Sequence, residues 1–489
     1  MGAIIAVLNK KGENAAETAL TMLKMLKPKN IEAYGIASPS TIKIGKTVDA
    51  LQSQDISSYV AIGYIFSKIS NMDKPQPVEL ENAALVFEGR IYPPNKEISD
   101  AEAIAKRLQQ NREKIANTLI KDIQGDFAFV IAELEMLIAG RGVMGVQPLY
   151  YGETANFAAL ASERKALWKI GIEKTDSFSP GHVALVDKNG FKFKSAKTLT
   201  HLKPKQITMQ AAAKELQTLL EHSVKERVSG LKEVAVAFSG GLDSSTIAFL
   251  AKNSGVNVHL IHVSLENQPE IEYAKKAAEE LKLPIHVHLY NEEDVEEVLP
   301  NILWLIEEPN PVKTGIGIPV YWAAEKAAEM KLKVILAGQG ADELFGGYKR
   351  HINDYSRYGS KKVREAILND IFKMYETNFE RDFKICNFHN VELRLPFATY
   401  QIAKFAMDLP LELKIGNQDS ALRKLVLRRV AEKLGLPQFI AEKPKRAIQY
   451  TTGINKALKK LAKRKGLPIR EYLQKMFQTI LKNKMTQNE

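Results

Sequence analysis

The chain has 489 residues, of which 45% are hydrophobic and 26% charged, and a formal net charge of +12 at pH 7. This length exceeds what one hydrophobic core normally organises, so two or three domains are expected. No apolar run approaches the roughly 18 residues of a membrane-spanning helix, and the first residues do not resemble a secretory signal, so a cytoplasmic protein is expected. The single cysteine, Cys386, excludes internal disulfides and CxxC metal or redox sites.

The basic charge is compatible with a nucleic-acid partner, but lysines and arginines are spread along the chain. Their density rises only near 442–465, and no aromatic-rich RNA-binding motif accompanies them. A well-solvated surface is the simpler interpretation, and no nucleic-acid partner is expected. The histidines show no metal-binding spacing, so no zinc is expected, and a lone Cys386 is typical of a small core residue.

Residues 1–195 are predicted to form an α+β domain. Short apolar segments bounded by Gly, Asn and Asp recur along it, among them AIIAVL, YVAIGYIF and GDFAFVIAEL. Helical periodicity interrupts these strands at 14–27 and at 99–121, where Ser99 and Glu102 have the spacing of a capping box. The polar and basic stretch 196–206 is predicted to be a linker.

From residue 207 to about 350, strand and helix patterns alternate. An amphipathic helix precedes the strand at 233–238, and the later strands VNVHLIHVSL, PIHVHLY and KVILAG are separated by helix patterns. This alternation predicts a doubly wound parallel sheet with right-handed crossovers. The chain beyond 350 is mostly helical, so 207–480 is expected to form an α/β domain with a helical C-terminal part.

The segment SGGLDSS at 239–245 lies where a strand of this sheet ends and a helix begins. Ligands of open α/β sheets bind at such strand ends. Gly240 and Gly241 allow close approach of a ligand to the backbone, and the helix start favours an anion. Hydroxyl groups are supplied by Ser239, Ser244 and Ser245. Asp243 would repel an anion unless Mg²⁺ bridges the two, which indicates a nucleotide whose pyrophosphate leaves with magnesium.

A second strand end, VILAGQGADELFGGY at 334–348, follows the same pattern. Small residues there precede Asp342 and Glu343 at a predicted helix start. An acidic pair at one helix N-terminus is usually a cap. Two acid-bearing strand ends in one parallel sheet instead predict a shared cation, so Asp342 is expected to hold Mg²⁺ together with Asp243.

SGGLDSS and GQGADELFGGY resemble the nucleotide motifs of the asparagine synthetase family, whose first motif is a PP-loop of the ATP pyrophosphatase type. VELRLPF (391–397) and EKPKRAIQYTTG (442–453) are similar to later segments of that family. EGRIYPP, SDAEAI, QGDFAFVI, RGVMGVQPLYY and LASERKAL follow the order of its N-terminal glutaminase domain. The resemblance covers almost the whole chain. It implies an Ntn-hydrolase-like, class II amidotransferase sandwich over 1–195 and a PP-loop, adenine nucleotide alpha hydrolase-like domain over 207–480.

The resemblance implies ATP and Mg²⁺ as cofactors. ATP would adenylate the side-chain carboxylate of aspartate and release pyrophosphate, and ammonia would displace AMP to form asparagine. Lys445 matches the family's catalytic lysine, and Asp243 and Asp342 match its magnesium ligands. Gln339 replaces a glutamate that many members use to bind the amino-acid substrate or to guide ammonia. The implied ATP- and pyrophosphate-binding residues are Ser239, Gly240, Gly241, Asp243, Ser244, Ser245, Val263, Gly338 and Gly340.

The glutamine site departs from the family pattern. The family's nucleophile is an N-terminal cysteine exposed by removal of Met, but position 2 is Gly2. Glu88, beside Gly89, replaces the asparagine of the oxyanion hole, where a carboxylate opposes a developing oxyanion. Asp100, which would pair with the α-amine of glutamine, remains. Glutamine hydrolysis is therefore predicted to be lost while the fold persists, so ammonia would come from solution or from a separate glutaminase.

Several alternatives stay open. Gln339, and Ala398 and Thr399 in place of the family's Leu-Asp, leave the acyl substrate open between aspartate and another acid. A related adenylating enzyme would resemble β-lactam synthetase. A non-catalytic nucleotide-binding regulatory protein and an RNA-modifying PP-loop enzyme are further alternatives, but the intact Asp243, Asp342 and Lys445 favour an amide ligase. A homodimer is compatible with the sequence.

Overall fold

The computed structural model describes residues 2–52, 56–95, 97–108, 111–200, 204–416 and 422–486. The chain divides into two compact units. Unit 1 contains Met1–Thr198 together with the short segment Asn387–Glu392, and unit 2 contains Leu199–Cys386 and Leu393–Glu489. The sequence predicted one linker, at 196–206, between two consecutive domains. It gave no sign that residues 387–392 belong to unit 1. No helix among the described residues is long and apolar enough to cross a membrane.

Unit 1 is a sandwich of two antiparallel sheets, with helices packed on the sheet faces that point away from the sandwich interior. In chain order its elements are β1 (Gly2–Asn9), α1 (Ala16–Met25), β2 (Ala33–Ala37), β3 (Ile42–Gly45), β4 (Val60–Phe66), β5 (Val78–Leu80), β6 (Ala83–Ile91), α2 (Asp100–Arg107), α3 (Arg112–Asp122), β7 (Gly125–Ala132), β8 (Leu137–Arg141), β9 (Tyr150–Glu153), β10 (Phe157–Ala161), α4 (Arg164–Lys169), β11 (Asp176–Ser177), β12 (His182–Asp187) and β13 (Gly190–Ser195). The strand orders are β11-β9-β10-β1-β4-β2-β3 and β13-β12-β8-β7-β6-β5.

The alternation of side chains along the strands explains these layers. In β6, Ala84 and Val86 face the core between the sheets, whereas Leu85 and Phe87 belong to the core under α2 and α3. The helix predicted at 14–27 is confirmed as α1, and the pattern at 99–121 is divided between α2 and α3. The predicted capping box is also confirmed, because Ser99 Oγ accepts from Glu102 N at 3.2 Å and Glu102 Oε2 accepts from Ser99 N at 2.9 Å.

Unit 2 is built around a five-stranded sheet of order β16-β15-β14-β17-β18. The pairs β14–β15, β15–β16 and β14–β17 are parallel, as the alternation of strands and helices predicts. In chain order the elements are α5 (Met209–Val228), β14 (Glu233–Ala237), α6 (Leu242–Asn253), β15 (Asn257–Leu265), α7 (Glu270–Leu281), β16 (Ile285–Tyr290), α8 (Glu292–Ile306), α9 (Pro311–Glu329), β17 (Val334–Leu336), α10 (Ala341–Leu344), α11 (Lys349–Met374), α12 (Glu380–Phe388), β18 (Glu392–Arg394), α13 (Tyr400–Asp408), α14 (Leu425–Lys433), α15 (Gln438–Ala441), α16 (Ile448–Thr451), α17 (Ile454–Arg464) and α18 (Ile469–Thr486).

The position of β17 beside β14 brings the two acid-bearing loops together. β14 ends at Ala237 before the SGGLDSS turn, and β17 ends at Leu336 before the GQGADE turn. The contact is so close that a Cβ on Gly338 would lie 2.9 Å from Asp243 Cβ. A glycine is therefore required where the second loop passes the first, and this packing sets the distance between their carboxylates.

Candidate functional site

The strand ends of unit 2 open into a cavity of about 700 Å³, a volume typical of sites that hold a nucleotide or a drug-sized ligand. Most of the predicted site residues of unit 2 line it, namely Ser239, Gly241, Asp243, Ser244, Val263, Gly338, Gln339, Gly340, Asp342 and Lys445. Gly240 and Ser245 are not part of its wall. The Ser245 side chain is fully buried, and Gly240 supports the turn with a φ of +67°, a conformation that favours glycine.

The hydroxyls of the SGGLDSS turn are ordered by long hydrogen bonds. Ser244 Oγ lies 3.3 Å from Ser239 N, from Ser239 Oγ and from Gly241 O. These distances exceed the 2.7–2.8 Å usual for a hydroxyl donor, so the groups are positioned without strong partners of their own. Helix α6 begins after Gly241 with no side-chain cap. Its first amide groups, together with these hydroxyls, could donate hydrogen bonds to an anion.

Two carboxylates and two lysines form an ion cluster in the cavity wall. Lys424 Nζ lies 2.7 Å from Asp243 Oδ2 and 2.7 Å from Asp342 Oδ1. Lys445 Nζ lies 2.8 Å from Asp342 Oδ2 and 3.6 Å from Asp243 Oδ2. Burial would raise the pKa of Asp342, but Lys424 and Lys445 outweigh it and hold the pKa well below its ordinary value. Asp342 is therefore ionised at neutral pH, with both lysines as counter-charges.

Lys424 was not among the sequence-predicted site residues, although its side chain is only 1% exposed and lies at the centre of the cluster. Its position also explains Gly347, because a Cβ there would lie 2.0 Å from Asp342 Oδ1 and 2.4 Å from Lys424 Cε. The neighbouring Arg423 donates from Nη2 to Lys445 O at 2.8 Å and so fixes the backbone of the second lysine. The only sequence signal was a basic pair at the start of an amphipathic helix, which is common on protein surfaces.

The acidic pair of the second loop divides between two roles. Asp342 joins the ion cluster, whereas Glu343 is buried and accepts a hydrogen bond from Asn378 Nδ2 at 2.6 Å and another from Tyr348. Burial, reinforced by the charge of Asp342, raises the pKa of Glu343. Only one carboxylate of this loop is therefore available as a cation ligand.

Gln339 is held by a buried ion pair. Its Nε2 donates to Asp382 Oδ2 at 2.9 Å, and Arg381 binds the same carboxylate at 2.7 and 3.0 Å. A glutamate at position 339 would bring a second carboxylate against Asp382, which the amide avoids. Cys386 also lines the cavity, but burial raises the pKa of its thiol well above the ordinary value, so it is held as the neutral thiol.

Asp243 and Asp342 are suited to a magnesium ion. Both carboxylates approach a single point, Lys424 Nζ, within 2.8 Å. Carboxylate oxygens are ligands that Mg²⁺ prefers, and it is commonly held by one or two of them plus phosphate oxygens and water. Among the described residues no group of three or more His, Cys, Asp and Glu side chains could hold a metal ion by itself. These two carboxylates could supply two oxygen ligands to a Mg²⁺ ion that also binds phosphate.

The predicted glutamine site in unit 1 has no space for a nucleophilic side chain at position 2. A Cβ on Gly2 would lie 2.0 Å from Ile65 O and 2.5 Å from Tyr64 Cζ. The Tyr64 hydroxyl donates to Glu88 Oε2. Burial raises the pKa values of both Tyr64 and Glu88. Gly89 has a φ of +122°, and a Cβ there would lie 2.0 Å from Asp126 O.

Arg90 occupies the rest of this pocket. Its guanidinium binds Asp73 with contacts of 2.5 and 2.9 Å, and its Nη2 lies 2.7 Å from Glu392 Oε2. Asp100, expected to pair with an α-amine, instead has its Oδ2 at 3.6 Å from Arg90 Nη1. The remaining cavity is about 30 Å³, against about 700 Å³ for the cavity of unit 2. The guanidinium of Arg90 therefore lies beside Asp100, the carboxylate that the α-amine of a bound glutamine would need.

The sequence matches two protein families. The asparagine synthase family matches residues 215–362 and 354–484, which together span more than half of the chain. A glutamine amidotransferase domain matches residues 66–169. A glutamine phosphoribosylpyrophosphate amidotransferase from B. subtilis, complexed with ADP and GMP, aligns at a TM-score of 0.37 and 13% identity over 59% of this chain and 81% of that chain. A similarity this low supports no conclusion about the fold.

Individual relatives agree with the family matches. The chain is 30% identical to a putative glutamine-hydrolysing asparagine synthetase 1 of Methanocaldococcus jannaschii, over 95% of this chain and 96% of that protein. It is 24% identical to a probable glutamine-hydrolysing asparagine synthetase of Dictyostelium discoideum, over 93% and 85%. It is 25% identical to glutamine-hydrolysing asparagine synthetase 2 of Arabidopsis thaliana, over 78% and 69%. The chain therefore belongs to the asparagine synthase family and is a carbon–nitrogen ligase.

Proposed function

We propose that this protein uses ATP to adenylate the side-chain carboxylate of aspartate and then transfers the acyl group to free ammonia, giving asparagine, AMP and pyrophosphate. The observation that carries this proposal is the cluster of Asp243, Asp342, Lys424 and Lys445 at two neighbouring strand ends in the 700 Å³ cavity. The reaction needs a site that binds a triphosphate and neutralises a leaving pyrophosphate. A neutral ion cluster beside a helix start supplies the required groups.

Each group has a physical role in this proposal. Asp243 and Asp342 would hold Mg²⁺, which when bound neutralises phosphate charge and favours departure of pyrophosphate. Lys424 and Lys445 each place an ammonium group within 2.8 Å of Asp342. If a phosphate oxygen took the place of a carboxylate oxygen, these ammonium groups would already be positioned to donate hydrogen bonds to it. The hydroxyls of Ser239 and Ser244 and the amide groups at the start of α6 would bind the leaving pyrophosphate.

The proposal excludes glutamine as the nitrogen source. A cysteine at position 2 would collide with the Ile65 carbonyl, and Tyr64 and Glu88 occupy the space beside it. Arg90 supplies the cation that Asp100 would otherwise accept from glutamine. Ammonia would then reach the adenylate from solution or from a separate glutaminase. The proposed substrates are small molecules in the cytoplasm, with no membrane or nucleic-acid partner.

The test is pyrophosphate release from Mg-ATP by the full chain, with aspartate and with ammonium or glutamine as the nitrogen source. We expect release that requires aspartate and asparagine that forms from ammonium alone. Asparagine formed equally well from glutamine would contradict the loss of the glutamine site. Absence of pyrophosphate with every amino acid would contradict aspartate adenylation.

A second candidate is an adenylating synthetase with another acyl substrate. The hydrogen bond of Gln339 to Asp382 favours it, because the amide presents no negative charge to a substrate ammonium group. Pyrophosphate release with a carboxylic acid other than aspartate in the same assay would distinguish this candidate from the first.

A further inference from the structure

His262 is a buried imidazole in the wall of the nucleotide cavity. It lies near the C-terminal end of β15, beside the predicted nucleotide-binding residue Val263, and its side chain is only 4% exposed. Neither the SGGLDSS turn nor the ion cluster contains it. Its two ring nitrogens have different surroundings, and these surroundings determine what the residue can bind.

The proton on the ring is assigned by the backbone. His262 Nδ1 lies 2.9 Å from Phe238 O. A carbonyl oxygen only accepts hydrogen bonds, so Nδ1 must carry the proton. Burial lowers the pKa of the imidazole, Lys443 lowers it further, and the Phe238 carbonyl and Glu270 oppose that shift. The ring is therefore neutral at pH 7, and Nε2 presents a lone pair.

Nε2 is buried and has no hydrogen-bond partner within the described part of the chain. A buried acceptor left unpaired costs about 1–3 kcal/mol, so such atoms are rare unless something outside the chain satisfies them. The charges of Lys443 and Glu270 reach the ring, and the apolar side chains of Ala237, Phe238, Ile261 and Val263 line the same strand ends. These apolar neighbours suit the flat face of a nucleobase better than a polyhydroxylated sugar or a phosphate.

We propose that His262 Nε2 accepts a hydrogen bond from the exocyclic amine of adenine and so selects ATP among nucleoside triphosphates. This inference rests on the proposed use of ATP. Phosphate oxygens accept hydrogen bonds and cannot satisfy a neutral Nε2, which leaves the base amine and the ribose hydroxyls as donors on Mg-ATP. Guanine carries a carbonyl oxygen where adenine carries its amine, so two acceptors would face each other in a complex with GTP.

The experiment measures equilibrium binding of triphosphates to the full chain by calorimetry in the presence of Mg²⁺. The probes are ATP, purine riboside triphosphate, which lacks the amine, and the 2′-deoxy and 3′-deoxy forms of ATP. We expect wild-type protein to prefer ATP over purine riboside triphosphate by about 5-fold to 10-fold, the range for one hydrogen bond between neutral groups. His262→Phe should bring this ratio close to one, whereas His262→Gln, which restores an acceptor, should keep part of it.

His288 provides a matched control. Its Nε2 is also buried without a partner, but it lies on β16 and does not line the cavity. His288→Phe should therefore keep the wild-type ratio. The ratio is measured only on variants whose thermal unfolding remains cooperative, and His262→Gln provides a second test if the phenylalanine variant does not fold.

Several outcomes would overturn the inference. An unchanged ratio in both His262 variants would mean that the atom does not contact the base. If His262→Phe lost only the preference for ATP over its deoxy forms, and kept the preference for ATP over purine riboside triphosphate, the contact would be with the ribose. Failure of the wild-type chain to bind ATP would overturn the proposed function as well, so the two failures are distinguishable.

Discussion

The filled pocket of unit 1 and the open cavity of unit 2 both surround a cation of the chain with carboxylates, yet only one leaves room for a ligand. Arg90 contacts Asp73, Asp100 and Glu392, and about 30 Å³ remains. Lys424 contacts Asp243 and Asp342, and about 700 Å³ remains. A planar guanidinium has five donors and can satisfy several carboxylates at once, whereas an ammonium is a compact point charge. The shape of the cation therefore helps to decide whether an acidic pocket is closed or receptive.

The largest expected effect tests the receptive side of this comparison. Lys424→Met keeps the length of the side chain and removes its charge. We expect pyrophosphate release to fall by about 1000-fold, because Asp243 loses its closest counter-charge and a phosphate loses a fixed donor. The free energy of unfolding should also fall by about 3 kcal/mol, because two half-buried carboxylates lose the buried lysine that they share. Steady-state kinetics and urea denaturation measure the two effects.

Lys433→Met, at the exposed end of the same helix, is the control for Lys424→Met and should change neither quantity. A Lys424→Met variant with wild-type rate would mean that the lysine is structural and that the two pockets differ only in volume.

The closed side is tested by Arg90→Met. Three carboxylates would lose their common partner, so the free energy of unfolding should fall by about 3–5 kcal/mol. Arg107→Met, on the exposed end of α2, should have no such effect. Thermal unfolding of the two variants checks the difference. Unchanged stability in Arg90→Met would show that the pocket does not depend on its internal cation.

Restoring the family's nucleophile should fail. Gly2→Cys, with Met removed, places a Cβ against the Ile65 carbonyl, and we expect a loss of about 3 kcal/mol in stability and no hydrolysis of glutamine. Gly2→Ala should destabilise the protein equally, because the collision involves the Cβ and not the thiol. Glutamate release from glutamine and thermal unfolding are the measurements. Any glutamine hydrolysis by Gly2→Cys would show that the pocket is only latent.

The smallest expected effect is a pH dependence from Asp100. Burial, despite the opposing charge of Arg90, raises the pKa of Asp100 from 3.8 to about 6. Between these values the folded state binds more protons than the unfolded state, so stability falls as pH rises from 4 to 6 and then levels off. Asp100→Asn should remove about 2 kcal/mol of this dependence. Urea denaturation at several pH values compares the variant with wild type, and parallel curves would contradict the assignment.

Local patterns in the sequence predicted the elements that carry the site. The alternation of strands and helices predicted a parallel sheet, and the two acid-bearing strand ends were expected to meet because parallel strands end at one edge. The structure places Asp243 and Asp342 around one ammonium group, as that reasoning requires. Ser99 and Glu102 likewise form the capping box that their spacing predicts.

The residues that sequence reasoning missed act over long distances in the chain. Lys424 meets Asp243 across 181 positions, and Arg90 meets Glu392 across 302. Neither has a local signal, because a basic residue at a helix start or a strand end is common on surfaces. Tyr64 was missed for another reason, since it lies in a regular apolar strand, and only the close approach to Gly2 shows that it fills a site.

The segment Asn387–Glu392 limits how this protein can be divided. It comprises the last two residues of α12, the connection and the first residue of β18, yet it belongs to unit 1, where Asn387 Nδ2 donates to Gly2 O at 3.0 Å and Glu392 binds Arg90. A truncated protein that ends at residue 198 would lack both of these partners, and one that begins at 207 would carry the segment without its binding site. The two halves are consequently not interchangeable modules, and a chimera with another synthetase would have to exchange this segment together with the N-terminal half.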